Sequence, residues 1–206
     1  MPKRKIPRLS PNKVPQQERS RRTFDDIVEA GARLLLRSGY ESLTTNHVAD
    51  EAGVGIASVY EYFPNKHAIV AAVVTQVAGD VVGELRESLT EAMAAGPTQA
   101  LRIWVHAMFR AVERRKGIVT VLVREVPFLW EIPAVESLGD RLIELARSAA
   151  GLAQKPLIIE HAEAVTYLTT VMVRAAVLES VIRAPQHIAQ DELRETLTRL
   201  LIELLT

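Results

Sequence analysis

Three groups of residues in this 206-residue chain have types and spacings that could do chemistry. Glu160, His161 and Glu163 combine carboxylate and imidazole donors, as a metal site would. Residues 160 and 163 would share a helix face, but the H-E-x-x-H spacing of a helical zinc site is absent. Acids at a helix start are in any case favoured by the helix dipole. Gly53-x-Gly55 has the first two glycines of a dinucleotide-binding turn. Ser58 stands where the third glycine belongs and no strand precedes it, so that reading fails. Neither a G-x-S-x-G elbow nor a Walker loop is present, and the chain has no cysteine. Disulfides, thiolate catalysis and cysteine-ligated zinc are thereby excluded. The third group, Thr44 to Lys66, points to recognition rather than catalysis.

That stretch, TTNHVADEAGVGIASVYEYFPNK, reads as two short helices joined by a tight turn. Thr44 and Thr45 carry hydroxyls suited to capping the N–H groups of a helix start. Val48, Ala49 and Ala52 recur at helical spacing. Gly53 suits the left-handed conformation that ends a helix sharply. Val54 plugs the angle between the helices. A second helix runs from about Ile56 to Phe63, and Pro64 stops it. This is a helix-turn-helix, whose second helix enters the DNA major groove.

From Arg22 to about Val70, the chain resembles the N-terminal domain of the TetR family of transcriptional regulators. The residues that carry the resemblance are Phe24, Ile27, Ala30, Leu34 and Leu35, then Gly39-Tyr40, Thr44-Thr45, Val48-Ala49, Ala52-Gly53-Val54, Tyr60, Tyr62-Phe63-Pro64 and Lys66. The resemblance covers about a quarter of the chain. It implies an all-α protein: an N-terminal three-helix helix-turn-helix domain plus a C-terminal helical ligand-binding and dimerisation domain. It also implies a repressor that releases a palindromic operator when a small molecule binds. By position in the motif, Thr45 and Asn46 would meet the DNA backbone, as would Tyr60, Tyr62 and Lys66. Such contacts fix register without reading sequence. Ser58 occupies the usual Thr position on the face that meets DNA. Ile56 and Ala57 would reach thymine methyls from the start of the recognition helix. Two positions depart from the pattern: Ile56 stands where a polar residue is common, and Glu61 where His is common. The Glu61 charge opposes phosphate, so this side chain either points away or accepts from a cytosine amino group.

Zero net charge hides an asymmetry. Residues 1–22 carry eight Lys or Arg against Glu18 alone, and the remainder is net acidic to the same extent. Pro2, Pro7, Pro11 and Pro15 lie in the same stretch, so residues 1–21 are expected to form a flexible basic arm. With Arg21 and Arg22 at its end, the arm would contact phosphates or the minor groove; the alternative is a solubilising tail. The DNA-binding domain is expected over 22–67 and the effector and dimerisation domain over 68–206.

Beyond the motif, the periodicity predicts helices over 22–38, 66–95, 98–115, 118–126, 133–154, 157–183 and 190–205. The helix over 157–183 is apolar over so wide an arc that it is expected to be buried on two sides. Trp104, Met108, Phe128, Trp130, Tyr167 and Met172 could wall an apolar ligand pocket, with Arg174 or His106 orienting a polar end; ordinary core packing is the alternative. Homodimerisation is expected through the last two helices. No 18-residue uninterrupted apolar run and no signal-peptide h-region exist, so no membrane span is expected and the protein is read as cytoplasmic. No cofactor or metal is expected. The rival functions are an effector-independent DNA-binding or protein-interaction module, and an enzyme with an incidental helix-turn-helix.

Overall fold

The structure, a computed structural model, describes residues 7–152, 161–183 and 188–205. Among these residues it is helical throughout, without a strand. In chain order the helices are α1 (Glu18–Ser38), α2 (Thr45–Ala52), α3 (Ile56–Tyr62), α4 (Lys66–Ala94), α5 (Pro97–Glu113), α6 (Lys116–Glu125), α7 (Pro133–Glu136), α8 (Leu138–Leu152), α9 (Ala162–Arg183) and α10 (Gln190–Leu205). A 3-10 turn, Leu129–Glu131, lies between α6 and α7.

Several boundaries differ from the expectation, each for a physical reason. α1 begins at Glu18, just past Pro15, so Arg19, Arg21 and Arg22 stand on its first turns rather than in an arm. Residues 7–17 are not a free arm either, because they hydrogen-bond to the end of α3. The helix expected from Pro133 onward is two: the Ser137 carbonyl accepts from the Arg141 N–H and starts α8 as a fresh helix. Pro2 and Glu160, named by the sequence reading, lie outside the described residues.

Packing divides the chain into two compact units: residues 1–77 with 117–136, and residues 78–116 with 137–206. The expected boundary at 67/68 is therefore not where the packing changes. Residues 68–77 of α4, and the whole segment from Gly117 through α7, belong with the helix-turn-helix. The core of this first unit joins Ile27, Leu34 and Leu35 of α1 to Val48, Val59, Phe63, Ile69 and Val73, and to Ile118, Leu122, Phe128 and Ile132. The second unit is built from the later part of α4 with α5, α8, α9 and α10, around Leu85, Trp104, Met108, Phe109, Leu142, Val173, Val177 and Leu201.

Averaged over 18 residues, Lys66–Ala92 and Glu163–Arg183 are long and apolar enough to cross a membrane. An uninterrupted-run criterion misses both. α4 owes this composition to supplying core to each unit in turn. α9 owes it to a second apolar face. One face packs inward through Val173, Val177 and Val181, while Tyr167, Leu168 and Met172 are exposed. Within one chain α9 is thus buried on one side, not two.

Candidate nucleic-acid interface

The turn between α2 and α3 is built by local chemistry. Thr44 caps α2, its Oγ1 accepting from the His47 N–H at 3.2 Å. Gly53 ends α2 in the left-handed conformation, φ 66° and ψ 31°, which a side chain at this position would disfavour. The N–H groups of Gly53 and Val54 return to Asp50 O and Ala49 O and close the helix end. Gly55 then starts α3 with an extended backbone. Val59 and Tyr62 are buried, which fixes α3 on the core and turns Ile56, Ala57, Tyr60 and Glu61 outward.

Ion pairs tie α1 to α2. Arg33 Nε and Arg37 Nη2 reach the Glu51 carboxylate at 2.8 and 2.7 Å. Arg37 first and Arg33 second hold this carboxyl below its ordinary range. The outward face carries Asn46, Ile56 and Ala57, with Ser58 half-buried behind them. Tyr60 is 50% exposed, and its hydroxyl lies 3.1 Å from Thr45 Oγ1, joining the start of α2 to the end of α3. Arg21 and Arg22 are exposed on α1. A helix end, hydroxyls, an amide and guanidinium groups are the donors that phosphate contact requires.

Two expected contacts are placed differently. Tyr62 is only 4% exposed, edge-on to Phe24 at 5.9 Å, and is a core residue rather than a phosphate ligand. Its place on the inner face of a seven-residue helix leaves it no other position. Lys66 Nζ donates to the carbonyls of Tyr40 and Glu41, both at 3.3 Å, and lies 4.6 Å from the Tyr40 ring centroid. Its ammonium serves the α1–α2 link first.

Residues 27–73 match the family model described as bacterial regulatory proteins, tetR family. Over these residues the chain is similar to the N-terminal domain of TetR-family regulators. Among curated relatives, it is 27% identical over 105 residues to the fatty acid metabolism regulator protein of Bacillus subtilis, covering 51% of this chain and 54% of that one. It is 30% identical over 141 residues to the transcriptional repressor KstR of Mycolicibacterium smegmatis, covering 65% of each. The chain thus spans between about half and two thirds of the length of these relatives. Its fold is similar to that of the transcriptional regulator FadR from Bacillus subtilis in complex with stearoyl-CoA. That match has a TM-score of 0.61 at 17% identity, covering 88% of this chain and 97% of the other.

The expected pocket residues fall in both units. Trp104 and Met108 lie one turn apart on α5 in the second unit's core. Phe128 was grouped with them, but it belongs to the first unit. It is 5% exposed there, 5.8 Å from the Tyr40 ring and 5.4 Å from the His67 ring. Trp130 is exposed on the 3-10 turn, and Tyr167 and Met172 face outward on α9. Arg174 lies against Gly139 of α8, and Glu179 pairs with Arg183. His106 faces Glu195 of α10 at 3.1 Å, and Arg102 reaches the same carboxylate at 2.6 Å. Burial lowers the His106 pKa.

Sequence reasoning missed Asn12 and Lys13, whose partners are 48 residues away. It also missed Glu125, whose carboxylate accepts from the Tyr40 N–H at 2.9 Å. No local pattern could have paired these.

Proposed function

We propose that this chain is a ligand-responsive transcriptional repressor that binds a palindromic operator as a homodimer in the cytoplasm, with no catalytic step. The observation that carries the reading is the capped α2–turn–α3 unit, which buries Val59 and Tyr62 and presents Ile56, Ala57 and Tyr60 outward. The first unit would bind DNA, and the second would bind effector and dimerise. Exposed apolar side chains on α9 and α10 (Tyr167, Leu168, Met172, Leu200 and Leu204) support pairing of these helices with a second copy. One helix-turn-helix per subunit would then place half-sites about 34–36 Å apart, or a multiple of this.

The effector we propose is largely apolar, held in the second unit near Trp104 and Met108. Acyl-CoA thioesters are the first class to test, because a protein of the same fold holds stearoyl-CoA. Release would follow from linkage: a ligand that prefers the DNA-free conformation weakens DNA binding by the same factor. The chain passes between the units at 77/78, 116/117 and 136/137, and α4 is continuous through the first crossing. These are the covalent routes by which an effector in one unit could bias the other. The test is selection of bound duplex from a random pool, followed by titration of acyl-CoA into the complex. Selection of no palindrome would remove the operator reading. Unchanged operator affinity at saturating ligand would remove the switch.

A further inference from the structure

Pro64 leaves a gap in the recognition helix that a distant part of the chain fills. In an α-helix the carbonyl of residue i accepts from the N–H of residue i+4. The Tyr60 carbonyl would therefore look to residue 64, which is proline and has no N–H. α3 has seven residues, so one open carbonyl is a large share of its hydrogen bonding. Asn12 supplies the missing donor. Its Nδ2 donates to Tyr60 O at 2.9 Å, and its backbone N–H donates to Tyr62 O at 2.7 Å.

The neighbouring residues hold Asn12 there. Lys13 pairs with Glu61 and sits 5.1 Å from the Tyr62 ring centroid. The Glu61 hydrogen bond is the main cause that raises the Lys13 pKa. Asn65 Nδ2 reaches back to Arg8 O at 3.2 Å, Leu9 packs against the first unit's core, and Pro15 is buried. Backbone, amide, ion pair and apolar contacts thus converge on one helix end.

We propose that residues 8–15 are a built-in brace of the recognition helix, with Asn12 as its positioning residue and Lys13 neutralising Glu61. The proposal rests on the DNA-binding reading above and deepens it. Asn12 acts through α3, not by touching DNA. Without its amide, the last turn of α3 frays and takes with it Tyr60 and the Tyr60–Thr45 bond. DNA must then bind the fraction of molecules whose turn is formed, and apparent affinity falls by that fraction. Lys13 answers the one acid on the outward face of α3, so phosphate meets a neutral pair instead of a bare carboxylate.

A brace and a direct phosphate contact differ in two readouts. Losing a phosphate contact flattens the dependence of log affinity on log salt. Losing a neutral brace lowers affinity at every salt concentration alike and speeds amide exchange in α3. The experiment compares the full-length wild type, Asn12→Ala, Lys13→Glu and the swap Lys13→Glu with Glu61→Lys. Hydrogen exchange is followed across residues 54–64, and the selected operator is titrated at three salt concentrations. Asn12→Ala should speed α3 exchange and weaken operator affinity, each about three- to tenfold, the range of one net hydrogen bond. Its salt slope and the exchange of α1 and α4 should be unchanged. Lys13→Glu should speed α3 exchange, and the swap should restore it. Unchanged α3 exchange in Asn12→Ala overturns the brace. A flattened salt slope with unchanged exchange makes the arm a phosphate ligand instead. If the wild type selects no duplex, the DNA-binding reading fails, while the exchange measurement still decides whether the brace exists.

Discussion

Gly39→Ala is the substitution whose cost follows most directly from the geometry. Gly39 follows α1 with φ 75° and ψ 175°, a region essentially reserved for glycine. Holding alanine there costs about 1–3 kcal/mol. The added Cβ would also lie 2.5 Å from Glu125 Oε2, too close to coexist with it. That oxygen ends a flexible side chain, so it swings away and no large steric cost remains. It then abandons the Tyr40 N–H, to which it is bonded at 2.9 Å. Glu125 is exposed, so water competes for it and the lost bond costs about 1 kcal/mol. Gly39→Ala should therefore destabilise the first unit by about 2–4 kcal/mol, and Glu125→Ala by about 1 kcal/mol. The double variant should match Gly39→Ala alone, because the bond can be lost once only. The coupling, about 1 kcal/mol, is the signature. Amide exchange of α1 and of residues 40–43 is the assay, since it reports on this unit separately from the other. A Gly39→Ala cost under about 0.5 kcal/mol, or strict additivity of the two changes, would refute the reasoning.

Phe128→Ala should cost about 3–5 kcal/mol, because it empties a buried site against Tyr40 and His67. The loss should appear as faster exchange in the first unit, whereas a ligand-gating role would leave that exchange unchanged. Tyr60→Ala should weaken binding to specific and random duplex alike, and Ser58 substitutions should shift the selected sequence; gel-shift titrations on both DNAs check this. Burial first, and Lys66 second, lower the His67 pKa from its ordinary 6.5. An unfolded chain takes up this proton more readily, so stability present above pH about 6.5 is lost as pH falls through the folded value. His106 acts in the same direction, so His67→Leu should reduce, not abolish, the loss seen between pH 7.5 and 5.5 in urea unfolding. Glu51, also lowered, contributes only nearer its ordinary value of 4.5. Replacing Leu200 and Leu204 with Glu should give a folded monomer in sedimentation, because both side chains are exposed within one chain.

The helix-turn-helix was legible because its determinants are local. Thr44, Gly53 and Pro64 act on their immediate neighbours, and the apolar stripe of α1 needs only a 3.6-residue period. Tyr62 shows the limit of a motif. It occupies a position read as phosphate-contacting, yet the same seven-residue helix must put some residues inward, and Tyr62 is one of them. Phe128 shows the limit of composition. Aromatics near one another in sequence were read as one pocket, but the chain returns to the first unit at Gly117 and takes Phe128 with it. Periodicity says which face of a helix is apolar and is silent about which core that face joins.

The prolines near the N-terminus carry the same lesson further. They were read as breaking structure, and they do exclude helix over residues 7–16. Excluding helix is a different matter from excluding order. An extended segment keeps its backbone N–H and C=O groups free, and these must find partners elsewhere. At the end of α3, Pro64 creates the opposite need: a carbonyl with no intrahelical donor. Two proline-bearing segments 48 residues apart are therefore complementary, one offering an amide and an N–H, the other the carbonyls of Tyr60 and Tyr62. Glu61 looks like a defect in a phosphate-facing helix when read alone. Beside Lys13 it becomes the charge that holds the basic segment on the helix it braces.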